Sequence, residues 1–138
     1  MILKKDVFDA IIDWSNVCSP EEACGLLIGE TDPISGVMTA SSFVKIENVD
    51  HSPKHFTMDA STQLAAQKNA RRTGKRVVAT FHSHPVGPQR MTREDVRLAV
   101  DQEMVWIIVA HLNTTEFSVK SYRIIDGSPV PEHLEVIS

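Results

Sequence analysis

Apolar residues near the start of the chain recur at intervals of three or four positions. They are Val7, Phe8, Ile11 and Ile12. This spacing predicts an amphipathic helix over residues 6–16, and the Ser19-Pro20 dipeptide that follows is typical of a helix end.

Five later segments are typical of β-strands, because apolar and β-branched residues dominate them and turn-forming residues bound them. The predicted strands cover residues 23–29, 37–49, 76–82, 105–111 and 116–125. The last of these alternates between apolar and polar positions, which predicts a strand at a sheet edge. Residues 31–36 and 50–55 are rich in turn-forming and polar residues and predict loops.

Two further helices are predicted between these strands. Asp59 or Ser61 would cap a helix that runs to about Arg72, with Gly74 placed to end it, and residues 92–102 would form a third helix. Because helices interleave with strands, we expect an α/β or α+β fold, with a mixed sheet flanked by helices. A chain of 138 residues is the size of a single domain, 1–138.

Composition narrows the class of protein. With 42% hydrophobic and 23% charged residues the chain is globular, and its net charge of −4 argues against a nucleic-acid binder. No apolar run is long enough to span a membrane, and the first residues do not resemble a signal peptide. The two cysteines, Cys18 and Cys24, form no Cys-x-x-Cys pair, so we expect free thiols and a cytoplasmic protein.

The candidate chemistry lies in the segment that runs from His82-Ser83-His84-Pro85 to Asp95. Residues two apart on a strand project from the same face, so both imidazoles would converge on one ion. Asp95, in the first turn of the next helix, would add an oxygen. Two nitrogens and one carboxylate leave a tetrahedral zinc with a position for water, as in catalytic zinc sites. The sequence therefore predicts one zinc per chain.

Simpler interpretations of these residues exist. Thr92-x-x-Asp95 is also the pattern of a helix capping box. A lone His-x-His would occur by chance in roughly a quarter of sequences with this histidine content. His51 and His55 would be a second metal site or, as we prefer, part of a mobile polar loop. No role is expected for His111 and His133.

These residues resemble the motif of the JAMM/MPN metalloproteases, which have an upstream Glu, then His-x-His-Pro, a Ser and an Asp. Glu22 stands in Glu22-Ala23-Cys24-Gly25-Leu26-Leu27, similar to the family's Glu-x-x-Gly-Leu-Leu segment, and His82, His84 and Asp95 match the three metal ligands. The chain differs at Thr92, where Ser is usual, and at Ala60, where Pro is common. The resemblance implies an MPN/JAB1-like, cytidine-deaminase-like architecture. It also implies Glu22 as general base, with the Thr92 hydroxyl stabilising an oxyanion.

The resemblance further implies a zinc-dependent peptidase or isopeptidase. Its substrate would be the Gly-Gly C-terminus of a small ubiquitin-like sulfur-carrier protein, whose tail could lie along a sheet edge. Two alternatives are a non-catalytic MPN scaffold and a general zinc hydrolase of small peptides. A nucleobase deaminase is disfavoured, because the chain lacks His-x-Glu with Pro-Cys-x-x-Cys. Met91 and Phe56 are expected to serve packing, and Cys24 to be a small buried strand residue.

Overall fold

The fold comes from a computed structural model that describes residues 1–99, 101 and 103–138. It contains three helices and eight strands within these residues. In chain order they are β1 (Ile2–Lys4), α1 (Lys5–Cys18), β2 (Cys24–Thr31), β3 (Met38–Ile46), α2 (Ala60–Arg72), β4 (Arg76–His84), α3 (Arg93–Leu98), β5 (Val105–His111), β6 (Phe117–Ile125), β7 (Ser128–Glu132) and β8 (Glu135–Ile137).

All eight strands belong to one sheet, in the order β7-β6-β5-β4-β2-β3-β1-β8. The β4–β5, β1–β3 and β1–β8 pairs are parallel and the others are antiparallel. The predicted mixed sheet flanked by helices is confirmed. β4 lies in the middle of the sheet, so its backbone is hydrogen-bonded on both sides, by β2 and by β5.

The helices cover the two faces of the sheet, and the alternation of side chains along the strands divides the core accordingly. α1 places Val7 and Ile11 over a cluster that includes Phe81 of β4. On the other face, Ala66 and Ala70 of α2 pack on β2 and β3, and a third cluster forms around Met91 beside α3. The packing roles predicted for Met91 and for buried Cys24 are confirmed.

Residues next to α2 determine where this helix begins and ends. The Asp59 carboxylate accepts a hydrogen bond from the Thr62 N–H at 3.0 Å, which identifies Asp59 rather than Ser61 as the cap. After the helix, Gly74 adopts a φ of 74°, a left-handed conformation that glycine reaches without a steric penalty. Both ends of this helix were predictable from sequence.

Two predictions about the fold are wrong, and three strands were missed. The third helix ends at Leu98 rather than at 102, because Ala99 turns to an extended conformation; residues 100 and 102 lie outside those described. Strand β6 is not at an edge, because β7 pairs along it. The short strands β1, β7 and β8 were not predicted at all. β7 contains two prolines, which are tolerated in an edge strand because proline has no N–H to donate to a neighbouring strand. The same prolines interrupt the alternation of apolar and polar residues that would have predicted a strand.

No helix in the described part of the chain is both long enough and apolar enough to cross a bilayer.

Candidate metal centre

His82 and His84 lie at the end of β4 and project from the same face of the sheet, the face covered by α2 and α3. Both are buried, and their Nε2 atoms are 3.2 Å apart. The β4 backbone is fixed by strand pairing, which matches His82 with Cys24 of β2 and His84 with Ala110 of β5. Pairing on both sides of β4 therefore fixes the backbone from which both imidazoles project.

Asp95 completes this group from the first turn of α3. Its Oδ1 lies 3.2 Å from His82 Nε2, and its Oδ2 lies 3.1 Å from His84 Nε2. The same Oδ2 accepts a hydrogen bond from the Thr92 N–H at 2.8 Å, while the Thr92 hydroxyl accepts one from the Asp95 N–H at 3.1 Å. The capping box is therefore formed, and it orients Asp95 toward the histidines. The two interpretations of this motif are compatible.

Hydrogen bonds and burial set the protonation of the two histidines and of Asp95. The Nδ1 of His84 lies 2.8 Å from the Pro88 carbonyl, to which it donates its proton, so in the neutral ring the Nε2 lone pair points into the site. Burial lowers the pKa of His82, which favours its neutral form. Burial also lowers the pKa of His84, but hydrogen bonds to Asp95 and Pro88 outweigh this and raise it. Burial would raise the pKa of Asp95, but hydrogen bonds from both histidines outweigh this and hold that pKa low.

This group of atoms fits a divalent metal. Two imidazole nitrogens and a carboxylate face one another at 3.1–3.2 Å, and in neutral His84, whose Nδ1–H donates to the Pro88 carbonyl, the Nε2 is an acceptor like the carboxylate. Such an arrangement needs a shared proton or cation. In a tetrahedral zinc site with bonds of about 2.0–2.1 Å, neighbouring ligand atoms are about 3.3 Å apart. Zinc is thus a good match for the spacing and for the ligand types.

Glu22 approaches the histidines from the segment before β2. One carboxylate oxygen of Glu22 and one nitrogen of each histidine lie within 4.8 Å of one another. Glu22 is buried, and its Oε1 has no hydrogen-bond partner in the described protein. Burial raises the pKa of Glu22 to about 8; His84 opposes the rise, and Asp95 and Glu94 add to it. A carboxyl group with such a pKa can accept and return a proton near neutral pH.

The backbone around Glu22 is held by three neighbours. The Glu22 N–H donates to the Ser52 carbonyl at 2.8 Å, and the Asn48 side chain donates to the Glu22 carbonyl at 3.0 Å. Ser83, between the two histidines, accepts a hydrogen bond from the Ala23 N–H at 2.7 Å. Further on, a side chain at Gly25 would collide with the Phe43 ring and the Val44 carbonyl, which explains the glycine of this motif.

The five predicted site residues, Glu22, His82, His84, Thr92 and Asp95, all lie in this one region. The polar loop of residues 50–55 packs near it through Asn48, which also accepts from the Asp50 and Thr57 N–H groups. Within that loop, His51 pairs with Glu21 and His55 with Asp50, which satisfies the two rings without a metal.

The sequence did not reveal several supporting residues. Asn48 and Ser83 act through contacts between segments that are distant in sequence, whereas Pro88 accepts a hydrogen bond from His84, four positions before it. Phe56 was assigned to packing alone, yet its ring stacks on His82 with centroids 4.5 Å apart.

The sequence of this chain is similar to those of known proteins. Residues 4–125 match the model of the family described as prokaryotic homologs of the JAB domain. The chain is 25% identical to a CysO-cysteine peptidase from Mycobacterium tuberculosis, over 99% of this chain and 91% of that protein. It is 31% identical to a desampylase from Pyrococcus furiosus, over 66% of this chain and 61% of that protein.

Solved structures agree on the fold. A protein from Desulfitobacterium hafniense superposes with a TM-score of 0.88 at 32% identity, over 99% of this chain and 93% of that one. A JAB1/MPN domain protein from Archaeoglobus fulgidus superposes with a TM-score of 0.66 at 21% identity, over the whole of both chains. The predicted fold and family are confirmed: this chain is a member of the prokaryotic JAB domain family.

Proposed function

We propose that this protein is a zinc-dependent peptidase that hydrolyses the amide bond after a C-terminal Gly-Gly of a ubiquitin-like carrier protein. One observation carries the proposal. The nitrogens of His82 and His84 and the carboxylate of Asp95 face one another at 3.1–3.2 Å, with the buried Glu22 carboxyl beside them.

His82, His84 and Asp95 would hold the zinc. Asp95 is preferred to Glu22 as the third ligand, because its oxygens lie 3.1–3.2 Å from the histidine nitrogens, close to the ligand–ligand spacing of a tetrahedral site. Bound zinc supplies Lewis acidity, which polarises a carbonyl and lowers the pKa of water to about 7.

Glu22 is the proton carrier of the reaction. Hydrolysis of an amide requires removal of a proton from the attacking water and delivery of a proton to the departing nitrogen. A single carboxyl group can do both in turn. The Oε1 of Glu22 makes no hydrogen bond within the described protein, so it is free to accept the proton. Burial raises its pKa, which makes the carboxylate a stronger base toward the attacking water.

Thr92 has a second role beside its cap. Its oxygen accepts from the Asp95 N–H, which leaves the hydroxyl proton available for donation. A tetrahedral intermediate carries an oxyanion, and a hydroxyl donor beside the metal ligands would stabilise it. The methyl group that distinguishes Thr92 from serine leaves this donor intact.

The substrate class rests on the relatives. One is named a CysO-cysteine peptidase and another a desampylase. We extend this chemistry to the present chain as cleavage after Gly-Gly of a ubiquitin-like sulfur carrier. A tail without Cβ atoms can pass close to the loops at residues 50–55 and 85–91 at little steric cost. Binding to a sheet edge is not supported, because the outer described strands are β7 and β8, while the histidines lie on central β4.

The proposal includes a single catalytic domain of residues 1–138 in the cytoplasm. All eight described strands share one sheet, which supports one domain. Cys18 and Cys24 are both free thiols, which suits a reducing compartment.

Cleavage of three substrates by the zinc-loaded protein tests the proposal. The first is a carrier with one residue added after Gly-Gly, the second has the last Gly changed to Val, and the third is the isolated tail peptide. Mass spectrometry should show release of the added residue from the first substrate and little from the others, because the folded carrier supplies binding energy remote from the reacting bond. Equal cleavage of all three would indicate a general peptidase, and cleavage of none would contradict the proposal.

A further inference from the structure

A small pocket opens beside the metal ligands on the face of the sheet that carries α2 and α3. It has a volume of about 250 Å³ and is bordered by His82 and Asp95. Four of its nine lining residues have apolar side chains: Phe56, Met58, Leu98 and Trp106. Pockets for drug-sized ligands usually exceed about 300 Å³. This pocket is therefore suited to a single side chain rather than to a separate small molecule.

Two residues of the pocket wall have a buried polar atom that the described protein does not satisfy. The Thr80 hydroxyl and the Trp106 indole nitrogen are buried, and neither has a hydrogen-bond partner in the described protein. Thr80 precedes His82 by two positions on β4 and pairs with Trp106 on β5, so these residues lie side by side on the sheet. Buried polar groups in native proteins are nearly always paired. These two therefore indicate a ligand with a hydrogen-bonding atom.

The charge of the wall restricts that ligand. His82 and Asp95 are the only ionisable residues among those that line the pocket in the described chain, and both belong to the proposed metal site. Apart from these two residues, the described wall offers no charged partner to an acidic or a basic side chain. Burial of an unpaired charge is strongly unfavourable. The ligand should be uncharged and mostly apolar.

We propose that this pocket selects the residue released by the reaction, by holding an uncharged side chain of about the size of methionine. This inference rests on the proposed function, because the Gly-Gly on the acyl side of the bond brings no side chain. The first side chain near the scissile bond then belongs to the released residue. Since His82 and Asp95 border both the metal site and the pocket, that side chain can reach it. A thioether offers a weak acceptor for the Trp106 N–H and a favourable contact with aromatic rings.

Substrate preference provides the first test. Carriers extended after Gly-Gly by Met, Gly or Asp are compared by kcat/KM. The Met extension should be cleaved about tenfold better than the Gly extension, and the Asp extension worst. Leu98 and Leu64 offer a matched pair of variants, because they are exposed leucines on helices, at 52% and 51%, and only Leu98 lines the pocket. Leu98→Asp should reduce the Met-to-Gly ratio, whereas Leu64→Asp should preserve it.

Equal cleavage of the three extensions, or an equal effect of the two leucine variants, would overturn the pocket assignment and leave the proposed function standing. Cleavage of no extension would instead contradict the proposed function, and a direct binding measurement then decides the pocket. The chain has two tryptophans, and Trp14 donates its indole N–H to the Cys24 carbonyl away from the pocket, so it serves as an internal reference.

NMR of the two indole N–H groups during titration with N-acetyl-L-methionine amide, in which only the side chain distinguishes the probe, gives that measurement. The Trp106 signal should shift while the Trp14 signal stays fixed, and N-acetyl-L-aspartate amide should move neither. Absence of a Trp106 shift with methionine, or an equal shift with aspartate, would overturn the assignment without reference to turnover.

Discussion

The hydroxyl of Ser83 accepts a hydrogen bond from the backbone N–H of Ala23 at 2.7 Å, and the Ser83 N–H donates to the Ala23 carbonyl at 2.9 Å. Ser83 stands between the two histidines, and Ala23 follows Glu22. The pair therefore fixes the proposed proton carrier relative to the proposed metal ligands, although 60 positions separate them in sequence. Ser83 is a positioning residue for Glu22.

We expect Ser83→Ala to retain zinc but to lower kcat, because the Ala23 N–H loses a partner and Glu22 becomes less well held. An unsatisfied buried donor costs about 1–3 kcal/mol, measurable by denaturant unfolding. Ser121→Ala is the matched control. Ser121 of β6 also has a buried hydroxyl, which donates a hydrogen bond to the Glu132 carbonyl at 2.7 Å. The Ser121→Ala variant should lose stability without a specific loss of kcat. Equal kcat in both variants would end the positioning role.

Glu22→Gln should keep zinc and the fold but lower turnover by roughly 10²–10⁴-fold, because only the proton acceptor is removed. Glu21→Gln is the control: it alters the neighbouring, more exposed carboxylate, which pairs with His51. Elemental analysis and the carrier cleavage assay measure both properties. Near-normal turnover in the zinc-loaded Glu22→Gln variant would contradict the assignment, and loss of its zinc would make Glu22 a ligand.

The purified protein should contain about one zinc per chain, and His84→Ala and Asp95→Asn should each lose most of it. His133→Ala removes an exposed histidine at the other end of the chain and should leave the zinc content unchanged. Elemental analysis after gel filtration checks this. Full occupancy in both ligand variants would mean that the metal lies elsewhere.

Thr92→Ala should reduce both stability and rate, since the hydroxyl caps α3 and is the proposed oxyanion donor. We expect a loss of ~0.5–2 kcal/mol in unfolding free energy and of roughly 10²–10³-fold in kcat, with Thr92→Ser restoring both. Asp59→Ala removes the cap of α2, away from the metal ligands, and should affect stability alone. A loss of stability without a loss of rate in Thr92→Ala would leave Thr92 as a cap only.

The sequence determined the parts of this protein that depend on short-range pattern. Apolar spacing predicted α1, and the Asp59 and Gly74 signals predicted the ends of α2. The alternation of side chains on a strand was enough to predict that His82 and His84 share a face. The resemblance to a family then singled out Glu22, which by itself was an ordinary glutamate next to Glu21.

Only the tertiary structure shows how these segments of the chain come together. The pairing of β2 with β4 brings Ala23 to Ser83 and Glu22 to the histidines, and Asn48 joins the loop of residues 50–55 to the same segment. The tertiary structure also shows that the Thr92–Asp95 capping box orients the proposed metal ligand Asp95, and that Phe56 stacks on His82. These contacts depend on strand register and on hydrogen bonds between segments far apart in the chain, and neither leaves a periodic signal in the sequence.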